Sequence, residues 1–438
     1  MIDLSPYIGR VGSCEPMRVY GRVVEITGTI IKATGVKSSV GESCRIFTHG
    51  GLTLEAEVVG FRDGKVLLMG IGDLSNIGLG SRVLPHGKTA SVKVSQDAVG
   101  RILNDRGDPL DGKGRISGTE YPLLAPTPHP LFRRRICEPL DLGVRAINGL
   151  LTCGKGQRVG IMAGSGVGKS VLLGMIARYT GASVNVIALI GERSREVREF
   201  IEKDLGPDGL KRSVVVVSTA DQPPLAKVRG AFVATAIAEY FRALGRDVLL
   251  LMDSLTRVAQ AQREVGLAIG EPPTSKGYTP SVFSLLPRLL ERVGMSENSG
   301  SITGIYTVLV EGDDLSEPVS DAARAMLDGH IVLSRSLAME NLYPSIDILQ
   351  SISRVMPDIV DPVHKGFAAQ FVETYAAYKK FEDMISLGAY KEGSNPKVDN
   401  AIALVDALKG YLRQDLHERC GLADSIEGLC LLMGAKER

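Results

Sequence analysis

The sequence predicts an α/β protein with a small all-β domain ahead of the main domain and a helical domain after it. Three features of the chain predict this. Between Tyr20 and Ser95, short Val-, Ile- and Leu-rich segments are separated by Gly-containing turns. From about Asp141, near-continuous apolar runs alternate with amphipathic stretches. After about Pro362, apolar residues recur only at helical spacing. The length of 438 residues fits, because at about 150 residues per domain it accommodates roughly three.

Residues 1–18 form an N-terminal segment in which Ile2, Leu4, Ile8 and Val11, interrupted by Pro6, give only a weak amphipathic pattern. It has no basic stretch followed by an apolar one, so no secretory signal is visible. The β-domain is placed at 19–95. Segments 21–35, 43–48, 52–61, 65–71, 81–85 and 90–95 come at the even spacing of a small barrel. The α/β domain is placed at 96–362, with strands at 157–162, 183–191, 213–219, 247–254 and 302–310 and helices at 169–180 and 225–245. Apolar strands alternating with such helices indicate a parallel sheet covered on both faces. The helical domain, 363–438, spaces Phe367, Phe371, Tyr375 and Tyr378, and later Val398, Ile402, Val405 and Leu412, one helical turn apart. These aromatics read as core. The loop 270–280, GEPPTSKGYTP, is a breaker segment suited to contact with a partner.

Composition removes several functional classes. Lys plus Arg number 51 against 50 Asp plus Glu, a net charge of +1. That balance provides no field for attracting nucleic acid or an anionic membrane. Charged residues at 23% and apolar ones at 44% are those of a globular protein, not a disordered one. The longest apolar runs, such as Val248–Met252, are strand-sized and too short to span a bilayer. Six Cys, at 14, 44, 137, 153, 420 and 430, never fall in metal-ligand or CxxC spacing, and the six His are scattered. Reduced, idle thiols in a cytosolic protein with no structural metal are expected.

The strongest motif is AGSGVGKS, Ala163–Ser170, following an apolar strand and opening a helix. That context makes it a P-loop. Gly164, Ser165, Gly166, Val167 and Gly168 would turn backbone N–H groups toward phosphates at a helix N-terminus. Lys169 would reach the β- and γ-phosphates, Ser170 would ligate Mg2+, and Val171 follows in the first helical turn. Ala163 stands where the strict pattern has Gly, at a position that starts the turn and need not touch phosphate. A bound nucleotide, ATP with Mg2+, is therefore expected.

Two acids could complete such a site. Asp253 ends the run Val248–Met252, where open parallel sheets bind ligands, and would be the Mg2+-side carboxylate. Its plainer role is a capping Asp. Asp247 competes but lies at the wrong end of the strand. Glu192 follows VIALIG in GERSREV. At the tip of a strand beside the P-loop strand, it could orient a water toward the γ-phosphate. It could instead be a first-turn Glu stabilising the next helix, with Arg193, Arg195 and Arg198 as solvated neighbours. By its residues alone YPSIDILQSISR, Tyr343–Arg354, is a loop and short turn rich in small hydroxyls, suited to a surface or an interface.

QRVGIMAGSGVGKS, IGERSREV, DVLLLMDSLTR and especially PSIDILQSIS closely resemble the catalytic subunits of the rotary F-type/V-type ATPase superfamily. Within it, RVGIMAGSGVGKSVLLGMIARYT, KGYTPSVFSLLPRLLERVG and SLGAYKEGSNPKVDNAI are similar to the type III protein-export ATPases, most of all the flagellar branch. The similarity runs from about Tyr20 to the C-terminus. It implies a RecA-like P-loop core between the barrel and the helical domain, and a homo-hexameric ring. It implies Glu192 as the residue activating water and Asp253 as the Walker-B acid. Arg354 would be an arginine finger inserted into the neighbouring subunit's site, Tyr343 the aromatic stacking on adenine, and Arg193 and Arg257 inter-subunit couplers.

The implied activity is Mg2+-dependent ATP hydrolysis that energises or assists export of flagellar proteins. The implied location is the cytoplasm, peripherally at the inner-membrane export apparatus. Implied partners are a stator or regulator protein bound by the N-terminal segment, a central coiled-coil stalk facing loop 270–280, a membrane export gate and chaperone–substrate complexes. A virulence injectisome ATPase is the alternative. An ion-translocating synthase subunit is disfavoured because the region near Ser386 lacks an acidic helix–turn–helix tip. An RNA translocase is disfavoured by near-neutral charge and 5% aromatic content. A non-hydrolysing subunit is disfavoured by Glu192.

Overall fold

A computed structural model of the chain describes residues 18–48, 50–297, 300–310, 314 and 316–434. Cys14 and all of the expected stator-binding segment except Arg18 lie outside the described residues.

Strict alternation shapes the first unit. Strands β1 (Gly21–Thr27), β2 (Ile30–Thr34), β3 (Glu42–Phe47), β4 (Thr53–Arg62), β5 (Lys65–Gly70) and β6 (Arg82–Thr89) close an antiparallel barrel. Their order among the described residues is β1-β2-β5-β4-β3-β6. Side chains from alternate positions, among them Val23, Ile31, Ile46, Val58, Leu68 and Val83, fill the interior. The run 21–35 is a hairpin, reversed at Gly28 with φ 58, a left-handed conformation that glycine adopts without strain. Burial pushes the Cys44 thiol up to about 12, with Glu42 and Glu55 adding to it, so it is inert.

The chain separates into two compact units, one running to Ala90 together with Val265–Glu271, and one formed by the rest. The second opens with β7 (Ser91–Val94), β8 (Ile102–Asn104) and β9 (Thr119–Pro122). The segment 90–95, expected as a barrel strand, is β7, which pairs with β9 instead. Its Val92 and Val94 are buried, and the strand packs on helix Pro224–Ala243. Alternation announces a strand with one buried face and does not say which core receives it.

The main sheet continues with β10 (Arg158–Ala163), β11 (Val184–Ile190), β12 (Ser213–Ser218), β13 (Asp247–Asp253), β14 (Gly294–Met295), β15 (Ser301–Leu309), β16 (Gly329–Leu333) and β17 (Ile346–Ser353). Among the described residues its order is β17-β16-β10-β15-β13-β11-β12-β8, with β14 alongside β15. All pairs are parallel except those of β17 and β14. Every residue of β11 and β12 is buried, as helices on both faces require. β11 does not neighbour the P-loop strand β10, as expected above: β15 and β13 lie between them. Crossover helices let consecutive strands take non-adjacent places, so chain order does not reveal sheet order.

The segment read as a loop is the edge strand β17. Its register against β16 breaks between His330 and Val332. Ser351 occupies that irregularity, and Ser353 lies just beyond it. Ser351 Oγ accepts from the Val332 N–H (2.9 Å) and donates to Asp347 O (2.6 Å). Ser353 Oγ donates to Thr152 O (2.9 Å) and accepts from the Met356 N–H (3.2 Å). Ser351 satisfies a backbone N–H that the irregularity leaves without a ladder partner, while Ser353, in register with Gly329, ties the strand end to the segments beside it.

The C-terminal helices Pro362–Ser386, Pro396–Leu412 and Leu422–Gly434 pack with helix Arg145–Leu150. Asp361 caps the first by accepting from the Val363 and His364 N–H groups. Phe371, Tyr375 and Tyr411 are buried in a core continuous with the sheet. Among the described residues no helix is long and apolar enough to cross a membrane.

A buried ion pair joins helix Pro224–Ala243 to the turn that precedes β14. Arg292 and Glu239 have side chains only 1% and 3% exposed, and Arg292 Nε donates to Glu239 Oε1 at 2.9 Å. Glu239→Ala is expected to cost about 3–5 kcal/mol by leaving the guanidinium buried and unpaired, read as a lower urea midpoint. The double variant Glu239→Leu with Arg292→Met should recover most of that loss.

Candidate active site

The carboxyl ends of the parallel strands converge on one rim, and the P-loop rises from it. It leaves β10 at Ala163 and becomes helix Lys169–Tyr179. Gly166 and Gly168 have φ 78 and 89, and a Cβ on Gly168 would come within 3.5 Å of the Tyr343 ring. Gly168 thus combines a left-handed turn with close approach. Gly164, Ser165, Gly166, Gly168, Lys169, Ser170 and Val171 line a cavity of about 640 Å³ together with Glu192. Val167, also expected to bind the nucleotide, is only 2% exposed as a whole residue and does not line this cavity. Its carbonyl accepts from Ser345 Oγ (2.6 Å).

Lys169 is the hub. Its Nζ contacts Asp253 Oδ1 and lies 3.5 Å from Glu192 Oε1, with all three side chains at most 16% exposed. Burial alone would depress the ammonium, and Asp253 and Glu192 outweigh it, holding Lys169 above the ordinary lysine value. Burial pushes the Glu192 carboxyl up to about 7, against the pull of Lys169 and with Asp253 adding repulsion. Asp253 is 4% exposed and is fixed by Thr307, whose hydroxyl donates to Oδ1 (2.7 Å). Asp247, the alternative acid, accepts from Ser301 Oγ (2.7 Å) at the opposite end of β13. Although two strands separate their parent strands, the Glu192 loop and the P-loop meet because both rise above the rim.

A second cavity, of about 800 Å³, lies beyond Gly168 and Val171. Leu172, Met175, Tyr343, Pro344 and Arg413 line it, and Tyr343 is 40% exposed. The Gln414 N–H donates to Tyr343 O (2.9 Å), so the C-terminal segment supports one wall. Together the two cavities have the shape and chemistry for a nucleotide: amide donors and a lysine for phosphates, and an apolar slot with an aromatic ring for a base. Ser170 Oγ and the Asp253 carboxylate are hard oxygen donors of the type Mg2+ takes beside phosphate oxygens.

The expected coupling residues sit at the mouth. The Arg193 side chain is 82% exposed and 3.3 Å from Glu196, and Arg257 NH1 donates to Gln260 Oε1 (2.9 Å). Arg354 is not brought to this site. It follows β17 at the sheet's opposite end, its N–H bonded to Asp328 O (3.0 Å). The length of β10, about 17 Å for five residue steps, separates that end from the P-loop.

Ser345, Thr307 and the segment Gly410–Gln414 are site components that motif reading missed. Thr307 is one of four hydroxyl residues in β15, with Ser301, Thr303 and Tyr306, so the sequence does not single it out. Ser345 lies inside the hydroxyl-rich segment. Nothing local marks Gly410–Gln414.

Comparison with known proteins identifies the family. Residues 143–353 match the ATP synthase alpha/beta family nucleotide-binding domain, and residues 360–430 match the T3SS EscN ATPase C-terminal domain. The chain is 52% identical to a flagellum-specific ATP synthase of Pseudomonas aeruginosa, over 95% of this chain and 93% of that protein. It is 49% identical to a type 3 secretion system ATPase of Xanthomonas euvesicatoria, over 94% and 93%. The assembled ATPase EscN of the enteropathogenic E. coli type III secretion system superposes with TM-score 0.89 at 44% identity, over 94% of this chain and 100% of that one. EscN in complex with its central stalk EscO gives TM-score 0.87 at 43% identity, with the same coverage.

Removing the Ser345 hydroxyl frees the P-loop carbonyl it holds. Ser345→Ala is expected to weaken nucleotide binding by about 1–2 kcal/mol, roughly 5- to 30-fold in Kd, with thermal stability little changed. Titration with a fluorescent nucleotide checks this.

Proposed function

Since the chain belongs to the type III export ATPases of the ATP synthase alpha/beta family, we propose that it hydrolyses ATP at the interfaces of a homo-hexameric ring serving flagellar protein export. The observation that carries the site assignment is Lys169 held between Asp253 and Glu192 at the P-loop. That constellation is suited to transferring a phosphoryl group to water.

The backbone N–H groups of 164–168 cradle the phosphates, and Lys169 draws negative charge toward the β- and γ-oxygens. Tyr343 and Val171 flank the base. Ser170 and Asp253, the latter through water, would hold Mg2+, which neutralises phosphate charge when bound. Glu192, buried and less acidic than a free glutamate, orients the attacking water and takes up its proton. The new bond joins the water oxygen to the γ-phosphorus as the bond to the bridging oxygen breaks, and ADP leaves. Arg354, remote from its own P-loop, stabilises the charge on the transferring group in the neighbouring subunit's site. Arg193 and Arg257, exposed at the mouth, couple one site to the next.

The stalk-bound EscN complex supports a central coiled-coil stalk as partner, with loop 270–280 as its contact. A stator protein at the N-terminal segment, the membrane export gate and chaperone–substrate complexes complete the assembly. The ring works in the cytoplasm, peripheral to the inner membrane. The flagellar assignment is supported by relatives such as the 52% identical flagellum-specific ATP synthase. The injectisome reading is supported by the 49% identical secretion ATPase and by EscN.

Glu192→Gln is expected to lower kcat by about 10²–10⁴ with nucleotide binding retained, and EDTA to abolish turnover. Arg354→Ala should lose about 10³-fold or more without loss of binding; normal turnover in that variant would remove the finger. Deletion of the gene, scored for secretion of hook and filament subunits, should stop that secretion with growth unaffected. Intact flagellar secretion with lost effector secretion would assign the injectisome instead.

A further inference from the structure

At the end of β10 opposite the P-loop, a polar brace lies under Arg354. Arg158, the first residue of β10, donates through Nε to Asp328 Oδ2 (3.1 Å) and through NH2 to Oδ1 (3.1 Å). Its own N–H donates to Oδ2 (2.9 Å). The Asp328 carbonyl accepts the Arg354 N–H (3.0 Å) and Gln157 Nε2 (3.2 Å). Gln157 Nε2 also donates to Ser353 Oγ (3.2 Å). Glu291 Oε1 takes the remaining arm of Arg158 at 2.6 Å. The Arg158 side chain is 15% exposed, so this is a shielded, bidentate pair of the stronger kind.

Arg354 differs from its support. Its main chain is tied down, while its exposed guanidinium makes, among the described residues, only long hydrogen bonds to Leu327 O (3.4 Å) and Arg324 O (3.5 Å). A fixed root and a loosely held tip suit a group that reaches outward into another molecule.

We infer that Arg158 and Asp328 are positioning residues for Arg354, holding its backbone so that the guanidinium enters the neighbouring site at the required place. This rests on the reading of Arg354 as a finger acting in trans. The planar fork of Arg158 locks the Asp328 carboxylate in one orientation, and Asp328 passes that constraint to Arg354 through its carbonyl. One strand then carries a subunit's own phosphate loop at one end and the support of its contribution to the next subunit at the other. Reacting groups displaced by about 1 Å lose roughly a hundredfold in rate, so a loosened support is costly without touching substrate.

The test uses full-length rings of Asp328→Asn and, separately, Arg158→Lys, each pure and mixed with Lys169→Ala subunits. Lys169→Ala subunits have a dead P-loop and an intact finger support. Pure Asp328→Asn is expected to lose roughly ten- to a hundredfold in kcat, with nucleotide Kd and ring assembly unchanged. Arg158→Lys, which keeps the charge but not the fork, should lose less. Mixing Asp328→Asn with Lys169→Ala should restore turnover, because the second lends a supported finger to the intact P-loop of the first. Mixing Asp328→Asn with Arg354→Ala should restore nothing. Normal turnover in pure Asp328→Asn would overturn the inference. So would a defect that Lys169→Ala subunits do not repair while they do repair Arg354→Ala, since it would then lie in cis or in the fold. Failure to repair Arg354→Ala itself would bring down the finger reading, and the inference with it.

Discussion

An ammonium group enclosed by two carboxylates, Lys169 between Asp253 and Glu192, sets the terms for everything around it. Burying a cation is costly unless opposite charge accompanies it. Here the compensation comes from two different strands, and each acid must arrive at the rim with its side chain turned the right way. A slip of one residue in β13 would send Asp253 to the opposite face of the sheet. β11 is buried throughout and β13 at every residue but Asp247, and Thr307 on β15 holds Asp253 in its register from the other side. The hydrophobic interior and the polar site are therefore one construction.

The two ends of that sheet do different work. At the carboxyl rim, the P-loop and Glu192 line one cavity, with Asp253 behind Lys169, while Tyr343 hangs over Gly168 and lines a second, more apolar one. The helical tail takes part as well. Gln414 bonds Tyr343 O through its N–H, accepts from the Arg145 N–H (2.7 Å), and donates to Gly143 O and Glu418 O (both 2.9 Å). A segment with no motif of its own thus keeps the wall of the second cavity in place. At the amino rim, Arg158, Asp328 and Gln157 organise the bulged end of β17 and the arginine beyond it.

Much of this was legible in the residues. The P-loop needs glycines at turns with positive φ and a lysine at the start of a helix, chemistry that few other sequences satisfy. Asp253 at the end of five apolar residues could be chosen over Asp247 by strand polarity alone. Other features were hidden for stated physical reasons. β7 alternates as a barrel strand does, yet its valines are buried under helix Pro224–Ala243. β17 reads as a loop because its hydroxyls, Ser351 and Ser353, bond backbone groups instead of following an alternating pleat. The distance between β11 and β10 follows from crossover routing, which leaves no local trace.

The sequence by itself determined the order of barrel, parallel α/β core and helical tail, because hydrophobic periodicity is a local property of the chain. It also pointed to the Gly-rich loop and the two acids that the fold gathers around Lys169, because those residues sit at strand ends that polarity makes recognisable. Only the tertiary structure decided which strands are neighbours, that Ser345 and Thr307 complete the site, and that Arg354 stands on the far side of the sheet from the P-loop of its own chain. Those are relations between distant segments, set by how helices cross the sheet and how side chains fill the space beneath them, and no short stretch of residues encodes them.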